Sequence, residues 1–123
     1  DQTHYYSNWR LTMKTEIKHA DKCTTIFVSG SVDALTAAEL GKNVAAQIAG
    51  EHVNLIMDLS GLEFMSSAGL RTLLGAVKET RSHGGDLRIV STNPGIDKVL
   101  KMSGFHNIAK VFTSQAEAAA SFE

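Results

Sequence analysis

Residues 53–74 read Val53-Asn-Leu-Ile-Met-Asp-Leu-Ser-Gly-Leu-Glu-Phe-Met-Ser-Ser-Ala-Gly-Leu-Arg-Thr-Leu-Leu74. The opening part, Val53 to Leu59, is short, nearly continuously apolar and bounded by polar residues, as expected of a strand covered on both faces and therefore central in its sheet. The closing part places Leu70, Leu73, Leu74 and then Val77 at the i, i+3, i+4, i+7 spacing of one helix face. Arg71, Lys78 and Arg81 fall off that stripe, and the run stops at Gly84-Gly85. A buried strand that feeds an amphipathic helix is the unit from which a largely parallel sheet is built.

Upstream, Met13-Lys-Thr-Glu-Ile-Lys-His19 alternates weakly, Ala20-Asp-Lys22 reads as a polar turn, and Cys23-Thr-Thr-Ile-Phe-Val-Ser29 is rich in β-branched residues. The pair predicts a β-hairpin, whose second strand is closed by Gly30-Ser-Val-Asp33. Thr36-Ala-Ala-Glu39 has capping-box spacing and predicts a helix from about Ala37. Its stripe is Leu40, Val44 and Ile48 with Ala37, Ala45 and Ala49 beside it, which requires a sheet to pack on.

Downstream, Leu87 to Val90 is a further strand. Asn93-Pro94 supplies a capping side chain and a proline suited to the first helical turn, so a helix through Val99 and Leu100 ends near Gly104. A last strand is expected near Ala109 to Phe112, and Ser114-Gln-Ala-Glu117 has the spacing to open a terminal alanine-rich helix. The predicted architecture is α/β, with a mixed, mostly parallel sheet, an N-terminal hairpin and about four helices. Residues 1–12 show no clear period; they read as an artificial leader, a linker, or an extension whose aromatics pack on a domain spanning 13–123.

Composition narrows the function. The chain has 123 residues, within the range of a single domain, and a formal net charge of -1. Lysines and arginines are dispersed rather than gathered into a stripe, which argues against nucleic acid as a partner. The longest apolar runs fall well short of the roughly 20 residues of a membrane span, and no charged-then-apolar leader opens the chain. A lone cysteine, Cys23, in an apolar stretch fits a buried thiol in a reducing compartment. The reading is of a cytoplasmic protein without direct membrane contact.

Few residues offer chemistry. Ser67 has Gly69 two residues on, but Met65 stands where a hydrolase elbow needs glycine; His83, His106, Asp86 and Asp97 follow in the chain without making a triad expected. No phosphate-cradling glycine loop occurs. His4, His19, His52, His83 and His106 are scattered without Cys or carboxylate at ligand spacing, so no metal, no cofactor and no enzymatic activity are expected. Ser66 and Ser67 fit a different use. One of them caps the helix, and a phosphoryl group added at a helix N-terminus meets unpaired N–H groups and the positive end of the dipole.

Gly30-Ser-Val-Asp33, then Met57-Asp-Leu-Ser-Gly-Leu62, then Phe64-Met-Ser-Ser-Ala-Gly-Leu-Arg71 resemble, in order and spacing, the STAS-domain anti-sigma factor antagonists, from Met13 to the C-terminus. The resemblance implies a STAS-like fold and a partner-switching module of bacterial stress-response transcription. Such a protein binds an anti-sigma factor that is also a serine kinase, thereby freeing a sigma factor. Phosphorylation breaks the complex and a serine phosphatase restores it. It also implies a binding face made of Gly30, Ser31, Val32 and Asp33 with Phe64, Met65, Ser66, Ser67, Ala68, Gly69, Leu70 and Arg71. Where members of the family read Asp-Ser-Ser-Gly-Leu, a gapless match puts Ser66 at the aspartate and leaves alanine, Ala68, directly before the glycine. Ser67 is therefore the first candidate for phosphorylation and Ser66 the second. One residue along a helix turns a side chain by about 100°, so a kinase built for one need not reach the other. The same domain type also serves as an appendage of anion transporters and in larger signalling assemblies, which leaves open a phosphorylation-independent interaction or ligand-binding module.

Overall fold

The computed structural model describes residues 12–123, so the extension expected at residues 1–12 lies outside the described residues apart from Thr12. The elements run β1 (Met13–His19), β2 (Thr24–Val32), α1 (Ala34–Ala49), β3 (Asn54–Met65), α2 (Ser67–Ser82), β4 (Asp86–Val90), α3 (Pro94–Met102), a 3-10 turn (Phe105–Asn107), β5 (Val111–Phe112) and α4 (Gln115–Ala120). The five strands form one sheet in the order β1-β2-β3-β4-β5, so neighbours in space are neighbours along the chain. β1 and β2 pair antiparallel and the other pairs are parallel, as the sequence predicts.

β3 is the middle strand, and Leu55 to Leu59 are buried on both faces. It is longer than the apolar run suggested, continuing through Ser60 and Gly61 to Met65. The β2–β3 register slips on the way: Phe27 faces Asp58 but Ser29 faces Gly61, and the pairing shifts again between Gly30 and Ser31. These irregularities bend the strands and redirect their side chains.

On one face Leu40, Val44 and Ile48 of α1, Leu73 and Val77 of α2, and Ile96 and Leu100 of α3 pack on Ile26, Val28, Leu55, Met57, Leu59 and Ile89. Each fully buried Leu or Ile there contributes about 1.5–3 kcal/mol. Of the three alanines expected beside the α1 stripe, Ala37 is buried and Ala45 and Ala49 lie exposed. The second face has a smaller core in which Cys23, Ile56, Val90 and Ala118 meet Phe112 and Phe122. Burial, reinforced by the nearby Glu123 charge, pushes the Cys23 thiol above its ordinary range.

The caps correct one boundary. α1 starts at Ala34, not Ala37, because Asp33 is the N-cap and Thr36 occupies the third helical position of the box. Asn93 caps α3 through Gly95 N–H, at 2.9 Å, and ties it to the sheet by donating to the Leu62 carbonyl at 3.0 Å. At α4, Ser114 Oγ accepts from Glu117 N–H and bonds the Glu117 carboxylate, both at 3.1 Å.

Candidate functional site at the end of β2 and β3

Because β2 and β3 are parallel, their C-terminal ends reach the same edge of the sheet, where Ser31 faces Phe64 and Val32 faces Met65. Ser66 N–H donates to the Val32 carbonyl at 2.8 Å, fastening the entry of α2 to the exit of β2. Gly69 makes this closeness workable: a Cβ there would lie 2.8 Å from Met65 Cγ and 2.9 Å from Val32 Cγ1. Gly30 has φ +87°, and a Cβ on it would collide with the Thr12 carbonyl oxygen. The sequence segments 30–33 and 64–71 are thereby brought to one edge.

Within them the residues divide by depth. Val32, Met65 and Gly69 are buried, as is Ser31, and shape the edge from beneath. Ser66 is the N-cap of α2; its Oγ accepts from Gly69 N–H at 3.3 Å. Ser67 is the first helical residue, exposed, and its hydroxyl makes no hydrogen bond among the described residues. The hydroxyl sits where orphan N–H groups and the helix dipole favour negative charge. Arg71, one turn on and exposed, stands at the i, i+4 position from Ser67. Ala68 and Leu70 are half-buried and pack against the main core.

Two large apolar side chains at this edge face solvent. Phe64 is 52% exposed and Leu35, in the first turn of α1, is 84% exposed. Sequence reasoning missed Leu35. Leu35 lies two residues after the Asp33 cap and off the α1 stripe, a position that becomes visible only once the helix is known to start at Ala34. Beside it Asp33 is held below the usual carboxylate range, chiefly by the Thr36 N–H, with Thr36 Oγ1 and Leu35 N–H adding to the effect.

The residues weighed for catalysis and metal binding are not assembled here. Ser67 and His83 stand at opposite ends of α2, about 24 Å apart at 1.5 Å per residue, so they form no nucleophile–base pair. His106 pairs instead with Asp97, at 3.2 Å. His4 lies outside the described residues. His19 and His52, distant in sequence, stack with ring centroids 4.2 Å apart and share Thr24 Oγ1, at 2.9 and 3.4 Å. Among the described residues no group of three His, Cys, Asp or Glu is placed to hold a metal ion, and no helix is long and apolar enough to cross a membrane.

A hairpin-led, mostly parallel sheet, with an exposed serine at the first turn of the helix after its central strand, defines a small α/β domain. Residues 14–118 match the model of the STAS domain, and the chain belongs to that family. A candidate anti-sigma factor antagonist of Bordetella bronchiseptica, BtrV, is 32% identical over 111 residues, covering 90% of this chain and 96% of that protein. The crystal structure of an anti-sigma factor antagonist from Mycobacterium paratuberculosis superposes with a TM-score of 0.83 at 23% identity, over 90% of this chain and 94% of that one. The Bacillus cell fate determinant SpoIIAA in its phosphorylated form superposes with a TM-score of 0.70 at 19% identity, over 89% of this chain and 100% of that one.

Proposed function

We propose that the protein is an anti-sigma factor antagonist acting by partner switching in the bacterial cytoplasm, with residues 13–123 working as one STAS domain. Its unmodified edge binds an anti-sigma factor that carries serine kinase activity, and so releases a sigma factor. Phosphate on Ser67 breaks the complex until a serine phosphatase removes it. The protein contributes a surface and no catalysis of its own.

The observation that carries this reading is the exposed Ser67 hydroxyl at the start of α2, on the same sheet edge as the exposed side chains of Leu35 and Phe64. Burying those two apolar groups supplies affinity. A dianionic phosphate is tolerated by the fold at a helix N-terminus but confronts a docked partner with a desolvation cost. Ser66 is the poorer acceptor because its oxygen is engaged in the cap. The name of the Bordetella relative and the existence of a phosphorylated protein of this fold support the same reading.

The test is capture of partners from the source cells followed by ATP addition and phosphopeptide mapping. An ATPase-fold kinase is expected in the captured material, with phosphate on Ser67 and none on the Ser67→Ala protein. A Ser67→Glu protein is expected to bind that kinase at least about tenfold more weakly, a loss of about 1.4 kcal/mol. Stable capture of a partner that neither phosphorylates Ser67 nor discriminates Ser67→Glu would defeat the proposal in favour of a constitutive binding module.

A further inference from the structure

Asp58 and Ser60 of the motif Asp58-Leu-Ser-Gly61 play no part in the edge just described and lie on the second face of the sheet, whereas Leu59 packs in the main core. α4 covers only part of that face: Ala118 and Phe122 pack over Ile56 and Val90, and Gln115 Nε2 donates to Thr25 Oγ1 at 2.6 Å. Beyond Thr25 the described residues leave a concavity of about 630 Å³, lined by Lys14 and Glu16 of β1, Phe27 and Ser29 of β2, and Asp58 and Ser60 of β3. This volume is in the range of small-molecule sites, roughly 300–1,000 Å³. The register slip between Phe27 and Ser29 occurs here, which is how β3 comes to swing Ser60 and Gly61 around the hollow.

Its charges are arranged in order. Glu16, Phe27 and Asp58 form one cross-strand row, with Glu16 opposite Phe27 and Phe27 opposite Asp58. Adjacent strands lie about 4.8 Å apart, so the two acidic residues flank the aromatic ring from either side, their Cα atoms about 10 Å apart. Lys14 stands in the next same-face row, opposite Ser29. None of Lys14, Glu16 and Asp58 belongs to an ion pair among the described residues. Asp58 is only 7% exposed; its Oδ1 accepts from Ser60 N–H at 2.9 Å, and Oδ2 makes no hydrogen bond among the described residues. Asp58 Oδ2, on the wall of the hollow and unengaged by any described donor, offers a charged acceptor to a cationic group that enters.

We propose that this hollow binds a small zwitterion of amino-acid size, with its ammonium or guanidinium end on Phe27 between Asp58 and Glu16 and its carboxylate end toward Lys14. Phe27 offers the ring face a cation prefers, and its apolar surface takes an aliphatic stem. The site is separate from the Ser67 edge and does not rest on the switch. It lies on the same two strands, β2 and β3, that deliver the residues of that edge.

The experiment is a titration of the full chain with L-arginine, followed by amide shifts at Phe27, Ser29 and Asp58 to Gly61, with agmatine, which lacks the carboxylate, as the second arm. Saturable shifts are expected at those residues, with arginine binding about tenfold tighter than agmatine. Glu16→Gln, on an exposed edge strand, is expected to weaken both ligands, and Asp58→Asn, which can keep the bond from Ser60 N–H, to weaken both further. Lys14→Met is expected to remove the preference for arginine while leaving agmatine unchanged. If Asp58→Asn fails to fold, Glu16→Gln and Lys14→Met decide the matter. Absence of saturable shifts up to about 10 mM, or shifts insensitive to all three substitutions, would overturn the proposal, since affinity weaker than this is not recognition. Equal binding of the two ligands by the wild type would overturn the zwitterion assignment.

Discussion

Asp33 and Thr36 cap α1 on each other: the Asp33 carboxylate accepts from Thr36 N–H, and Asp33 N–H donates to Thr36 Oγ1, both at 2.9 Å. The Thr36 hydroxyl also donates to the Ser31 carbonyl at 2.9 Å, so the cap is tied to the end of β2. One small cluster thus starts the helix and sets the backbone from which Leu35 projects.

That cluster predicts a pH effect. Asp33 is held below its ordinary range, first by the Thr36 N–H, so its stabilising contribution is present above the ordinary carboxylate range and fades as pH falls through the lowered value. Asp33→Ala is expected to melt below the wild type at neutral pH, with the gap closing in strong acid. Denaturant titrations across that range check it, and a gap that persists unchanged below the carboxylate range would contradict it.

Two glycines in α2 are expected to respond oppositely to alanine. At Gly69 the new Cβ meets Met65 and the β-branched Val32 inside 3.0 Å, so Gly69→Ala is expected to destabilise by about 1–3 kcal/mol. At Gly75 nothing lies within 4 Å, so Gly75→Ala is expected to stabilise by about 0.5–1 kcal/mol through helix propensity. Urea midpoints of the two proteins provide the measurement.

Leu35→Ala separates binding from folding. The side chain is 84% exposed, so stability is expected to stay within about 0.5 kcal/mol of the wild type. Affinity for the captured kinase is expected to fall by roughly 1–2 kcal/mol if Leu35 is an anchor. Calorimetric titration beside a thermal melt reads both quantities.

Arg88 latches the C-terminal helix. It bonds the Ser121 carbonyl and hydroxyl, lies 4.0 Å from the Phe122 ring centroid, and pairs with Asp86 at 3.1 Å. Burial pushes Asp86 up, but hydrogen bonds from Arg81 and Arg88 outweigh it and hold the carboxyl below its ordinary range. Arg88→Met is expected to speed hydrogen exchange across α4 while β3 stays protected. Equal acceleration in both would show that the latch supports the whole sheet instead.

What could be read from the sequence follows from how local each signal is. β3 and α2 were legible because Val53–Leu59 and the Leu70–Val77 stripe each state burial directly. The onset of α1 was misplaced because Thr36 and Glu39 imitate a capping box, whereas the real box uses Thr36 at its far end with Asp33 as partner. The extension of β3 to Met65 was hidden because the continuous apolar run ends at Leu59, and only pairing with β2 shows Ser60 and Gly61 to be part of an irregular strand. The two serines were visible as candidates, but their separation into a capping Ser66 and an unengaged Ser67 is a fact of helix geometry. Leu35 was illegible as a surface residue until the helix phase was fixed.

The order of the strands has a consequence for how the chain is made. Since each strand lies beside the one synthesised before it, no segment has to be threaded between partners already paired, and loop closures stay short. Both halves of the Ser67 edge are contributed by residues 13–82, so they are synthesised before β4, α3, β5 and α4. The edge that carries Ser67 is thus specified by the part of the chain made first, while Leu87, Ile89, Ile96 and Leu100, which complete the core beneath the sheet, are added last.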